Sequence, residues 1–166
     1  MISVKMAGAA LAHRPSERGD PMFKHILVPV DGSETAQKAA EKAAGLAKVF
    51  GSSVTVIYVI DPYPFTGLGS DFAYGQAEYL SAATAEAEQA IQAAKQTLQQ
   101  AGVTPQTRVV EEHSTWRGIL NAAQTSGADL IVMGSHGRHG LEKIVLGSVA
   151  QRVLSHAHLP VFVVRD

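Results

Sequence analysis

Short apolar runs and alanine-rich helical spans take turns along this chain, and that alternation restricts the fold more than any other feature. Ile26-Leu27-Val28-Pro29-Val30, Val54 to Ile60, Asp129 to Met133 and Val161 to Val164 read as strands. Nearly continuous apolar character suits strands covered on both faces. Gln106 to Glu112 reads as a weaker strand at a sheet edge. Between these runs, Ser33 is an N-cap and Glu34 opens a helix reaching about Phe50. Leu80, Ala83, Ala87, Ile91, Ala94 and Leu98 recur at helical spacing, which predicts a helix from about Gln76 to Ala101 with Gly102 as its C′ residue. Thr115 to Ser126, stopped by Gly127, and roughly Ser148 to His156 complete the helices. The pattern is β-α-β-α-β-α-β-α-β. It predicts one α/β domain over 22–166, with a single open five-stranded parallel sheet of order 3-2-1-4-5 and helices on both faces. Residues 1–21 are expected to be a flexible extension, with Met22 as an alternative initiator. Residues 62–75, rich in Pro, Gly and aromatics, are expected to be a long functional or mobile loop.

In such a sheet, ligands lie beyond the carboxyl ends of strands where the strand order reverses. The first and fourth strands end in the two most marked segments of the chain. The fourth runs into Gly134-Ser135-His136-Gly137, with Gly147-Ser148 ten residues beyond, giving the frame Gly-x2-Gly-x9-Gly-Ser. A buried strand, a glycine-rich turn and a helix start together prepare an anion site. Glycines let the chain take positive φ and let an anion approach the amides, and the amides of a helix N-terminus point at that anion. The frame is neither a Walker A motif nor the Gly-x-Gly-x-x-Gly fingerprint. The structural alternative is that these glycines only make tight turns.

Asp31, at the exit of the first strand, can accept from a ribose hydroxyl or hold Mg²⁺ through water. It can equally form an Asx turn before Gly32, and the two roles are compatible. Pro29 removes a ladder donor and marks where pairing ends and a crevice opens. Val59 and Met133 are core residues that would also wall a flat base. His136 would touch phosphate, and Arg138 and Lys143 would neutralise it, with surface solvation as the plain alternative for both cations.

The totals exclude several classes. With 14 Lys+Arg against 15 Asp+Glu, the net charge of −1 gives no electrostatic case for nucleic acid or an anionic membrane. The absence of cysteine removes disulfides, thiolate catalysis and cysteine metal sites, and fits a cytoplasmic location. No apolar run approaches the roughly 18 residues of a membrane span. His136, His139, His156 and His158 lack ligand spacing, so no metal site is expected. Ser33, Ser135 and Ser148 have no His/Asp partners in a triad arrangement and no catalytic residue is assigned.

Val28-Pro29-Val30-Asp31-Gly32-Ser33, Asp129 through Gly137, Gly147 through Leu154 and Pro160 through Val164 together resemble the universal stress protein family, from about Met22 to the C-terminus. The resemblance implies a Rossmann-like five-stranded parallel fold and a homodimer paired through strand 161–164. The family's ATP-binding branch carries the glycine frame that this chain matches in full. By resemblance, Asp31 and Val59 contact the ribose–adenine end, Pro29 lies under adenine, and Met133 and Gly134 line base and ribose. Gly137, Gly147, Ser148 and Val149 hold the phosphates. The expected role is a nucleotide-dependent stress or signalling module that holds ATP, with Mg²⁺ a possible companion, and turns it over slowly or not at all. A slow Mg-dependent ATPase and an interaction protein with a vestigial site are the alternatives. One departure is His113-Ser114-Thr115, where family members often place Gly-x-Pro, so the entry to the third helix is expected to differ.

Overall fold

The structure is a computed structural model that describes residues 20–62, 70–138 and 146–165. Its elements are β1 (His25–Pro29), α1 (Glu34–Phe50), β2 (Ser53–Ile60), α2 (Ser70–Gln100), β3 (Gln106–Glu111), α3 (Thr115–Ser126), β4 (Leu130–Gly134), α4 (Ser148–His156) and β5 (Val161–Val164). The strands form one sheet of order β3-β2-β1-β4-β5, and every neighbouring pair is parallel. The expected order is therefore observed.

The pleat divides the apolar strand residues between two cores. Ile26, Val28, Val54, Val56, Leu130 and Val132 face α1 and α2. Leu27, Ile57, Ile131 and Met133 face α3 and α4. α1 presents Ala36, Ala39, Ala40, Ala43, Ala44 and Ala47 to the sheet, all buried. Small side chains let this helix lie close against the strands. Its N-cap is Ser33, whose hydroxyl accepts from the Ala36 amide at 3.2 Å. Gly51 ends it in the left-handed region at φ 70°.

Asp129, just before β4, ties that strand to the start of β1. Its two carboxylate oxygens accept from the Lys24 and His25 amides at 2.8 and 3.0 Å. β1 and β4 then pair only at Ile26–Leu130 and Leu27–Ile131, whereas β1 stays paired with β2 through Pro29. The Val30 amide donates to Ile57 of β2, so the alternating N–H direction turns Pro29 toward β4. Its missing donor thus falls on the side where the sheet opens. β4 keeps its register with β5 as far as Gly134.

Two expectations need adjustment. α2 begins at Ser70 rather than near Gln76, which shortens the expected 62–75 loop; Ala73, Tyr74 and Gly75 are exposed, so no apolar stripe marked this stretch as helical. Residues 63–69 of that loop lie outside the described residues, as do residues 1–19 of the expected extension. At the entry to α3, Ser114 is the N-cap position but makes no side-chain capping bond. None of the helices among the described residues is long and apolar enough to cross a membrane.

Candidate functional site

The opening between β1 and β4 is the mouth of a cavity of about 650 Å³. Pro29, Asp31, Val59, Met133, Gly134, His136, Gly137, Arg138, Gly147, Ser148 and Val149 all line it. Sequence positions more than a hundred residues apart thus meet in one place. Lys143 and His139 lie outside the described residues.

One wall is apolar. Val59, Ile119, Met133 and Leu146 contribute to it, with the Tyr58 ring nearby. Val59 is positioned by Gly118 of α3: a Cβ on Gly118 would lie 2.8 Å from the Val59 Cγ1. Burial raises the Tyr58 phenol above its ordinary pKa, opposed by Arg138 and reinforced by Glu86, Asp31 and Tyr79.

The other wall is the glycine turn and the start of α4. The expectation that these glycines supply positive φ is corrected here. Gly134, Gly137 and Gly147 are absent from the positive-φ residues, whereas Gly32, in the facing β1–α1 turn, has φ 81°. What the frame supplies is close approach. A Cβ on Gly134 would lie 2.6 Å from Thr35 Oγ1 and 2.8 Å from the Thr35 carbonyl carbon. On Gly137 it would lie 2.9 Å from Asp31 Oδ2, and on Gly147 3.0 Å from the Ser135 carbonyl oxygen. The Gly147 amide donates to that same oxygen at 2.7 Å. The glycines therefore let the β4 exit, the β1–α1 turn and the head of α4 close on one another.

Hydrogen bonds lock the arrangement. The Thr35 hydroxyl donates to the His136 carbonyl at 2.6 Å, joining α1 to the glycine turn. Ser135 is fully buried, with its amide on Val164 and its hydroxyl 2.8 Å from His136 Nδ1. Asp31 does form the Asx turn: Oδ1 accepts from the Ser33 amide at 2.9 Å. Its Oδ2 faces Gly137, so the turn role leaves the second oxygen on the cavity side.

α4 starts in the cavity wall. Its N-cap is Gly147, which has no side chain to accept from the first-turn amides, and that turn contains no acidic residue. A helix N-terminus concentrates partial positive charge on such amides.

Arg138 is engaged within the protein. Its guanidinium donates to Glu86 of α2 at 2.8 Å, and this bond and charge raise its pKa. Thr35, Tyr58, Gly118 and Glu86 carried no local sequence signal, because each acts through a partner distant in sequence. His156 stacks on Trp116 with ring centroids 4.5 Å apart and bonds the Arg152 carbonyl through Nδ1, which explains it as a packing residue. Among the described residues, no group of three or more His, Cys, Asp or Glu could hold a metal ion.

The architecture and the sequence frame have relatives. The model of the universal stress protein family matches residues 22–165. The chain belongs to the universal stress protein family. A universal stress protein of Methanocaldococcus jannaschii is 40% identical over 148 residues, covering 89% of this chain and 85% of that protein. The solved structure of universal stress protein UspA from Lactobacillus plantarum superposes with a TM-score of 0.77 at 28% identity, covering 86% of this chain and 98% of that one. A universal stress protein from Archaeoglobus fulgidus, solved in complex with dAMP, has the same fold at a TM-score of 0.62 and 22% identity, covering 86% of this chain and 98% of that one.

Proposed function

We propose that the cavity is an adenine-nucleotide site and that this universal stress protein is an ATP-holding stress or signalling module with little or no turnover. The observation that carries the reading is the uncapped head of α4, opening on the cavity opposite Asp31. Phosphate oxygens satisfy such amides without any need for a cationic clamp. The residues present fit the group. Gly137, Gly147, Ser148 and Val149 would hold phosphates, with His136 and Arg138 beside them. Asp31 would accept from the ribose. Pro29, Val59, Met133 and Gly134 would bound the base and sugar. The dAMP complex of the Archaeoglobus fulgidus protein supports an adenine nucleotide on this fold.

ATP would bring a divalent cation, Mg²⁺, on its own phosphates. A slow Mg-dependent ATPase is the second reading, carried by Asp31, which is the one carboxylate lining the cavity among the described residues. A single carboxylate already bonded to the Ser33 amide is a poor general base, and this favours holding over hydrolysis. Titration of the emptied protein with Mg-ATP, with phosphate release followed in the same samples, tests the two. Saturable binding with negligible release is expected; release that keeps pace with binding would make the protein an enzyme. The exposed outer edge of β5 is further proposed to pair with a second copy of the chain.

A further inference from the structure

The one permanently charged cation lining the cavity, among the described residues, does not face it unencumbered. The Arg138 side chain crosses the β1–α1 turn: a Cβ built on Gly32 would lie 3.6 Å from its Nε, at ordinary van der Waals contact, so the arginine packs directly over this turn. The same position is 3.8 Å from Ala90 Cβ on α2. Beyond that point the guanidinium meets Glu86 of α2 at 2.8 Å. The arginine thus lies between two elements, the β1–α1 turn and α2, with its guanidinium on a carboxylate of α2. Both partners are about half exposed, at 46% and 53%, so the pair is open to exchange. A pair of this kind is worth little on its own, and a competing anion can take the arginine from it.

We propose that Glu86 is a specificity-determining residue of the cavity: it competes with a ligand's phosphates for Arg138 and so sets how strongly phosphate charge is rewarded. The proposal rests on the nucleotide reading of the site. Glu86 does not line the cavity, and it acts through Arg138 rather than on the ligand. A neutral nucleoside has nothing to offer Arg138 and leaves the pair intact. A nucleoside phosphate must either leave Arg138 with Glu86, and forgo a charge-assisted bond, or draw it away and leave the carboxylate to solvent. The penalty grows with the ligand's charge, because Glu86 itself repels the phosphates that approach Arg138.

The test compares adenosine, AMP and ATP binding to wild type, Glu86→Gln, Arg138→Gln and the double variant, by calorimetry in metal-free buffer at low and high salt. Glu86→Gln keeps the size of the side chain and removes its charge. ATP affinity is expected to rise about three-fold or more in E86Q at low salt, AMP affinity to rise less, and adenosine affinity to stay unchanged. The gain should shrink to under half in the R138Q background. A role confined to packing would move adenosine and ATP together and would ignore salt. Equal nucleotide affinities in wild type and E86Q, or a gain for ATP that survives intact without Arg138, would overturn the role of Glu86 alone. Failure of adenosine, AMP and ATP to bind wild type and every variant would overturn the nucleotide reading, and this proposal with it.

Discussion

His25 shows how a single side chain couples this sheet to pH. Its ring sits between two hydroxyls of β2, with Nδ1 2.5 Å from Ser53 Oγ and Nε2 2.9 Å from Thr55 Oγ1. Burial lowers its pKa below the ordinary 6.5, and Asp129 opposes that only in part. The folded state therefore prefers the neutral ring. As pH falls through the ordinary histidine range, the unfolded chain takes up the proton first and stability drops, until the folded ring is protonated as well. The denaturation midpoint is expected to be lower at pH 5 than at pH 8, and the difference to shrink in His25→Gln. An equal difference in the two proteins would remove His25 as its source. Asp31 illustrates what the sequence holds at this scale. Its position between a strand and Gly32 announced both a turn and a ligand role, and Oδ1 makes the turn while Oδ2 faces Gly137. Thr35 illustrates what it does not hold. Its bond to the His136 carbonyl spans 101 positions, and nothing in its neighbours marks it.

At the scale of elements, the start of α4 separates fold from function. An acidic residue in the first turn of a helix stabilises it by about 0.3–1 kcal/mol. Ser148 occupies the first helical position and lines the cavity. Ser148→Asp is therefore expected to hold or raise thermal stability while repelling phosphate, so that nucleotide binding falls at least ten-fold. Melting curves and titration on the same preparation check both halves; an S148D protein that binds ATP like wild type would place the phosphates elsewhere. Elements with a buried apolar stripe and a capping residue were legible from sequence, as α1 and its Ser33 cap show. The first turns of α2 were not, because Tyr74 and its neighbours point to solvent and Gly75 argues against a helix. That the glycine frame would gather at one cavity was legible, but the physical reason for its glycines was not. Spacing alone cannot distinguish a glycine that turns the chain from one, such as Gly147, that admits a neighbouring carbonyl.

For the molecule as a whole, strand order creates the site. β1 lies at the centre with β2 on one side and β4 on the other, and the chain leaves β1 and β4 toward helices on opposite faces. The crevice this leaves is where Pro29 removes a ladder donor and where the glycine turn meets Asp31. The sheet also ends in two edges, β3 and β5. An edge strand with unpaired backbone groups is a template for pairing, and β5 carries the exposed Phe162. Sedimentation is expected to show a dimer that Phe162→Asp weakens; a monomeric wild type would contradict pairing through this edge. Such a pairing would leave the cavity mouth, on the far side of β4, to the nucleotide.

The most direct measurement is to denature the freshly purified protein, identify any released nucleotide by chromatography, and titrate the emptied, refolded chain with Mg-ATP beside Gly147→Val. The account predicts an adenine nucleotide in the released fraction or saturable ATP binding by wild type, lost in a G147V protein that still melts cooperatively. A wild-type chain that releases nothing and ignores ATP, while melting cooperatively itself, would contradict the assignment of this cavity to a nucleotide.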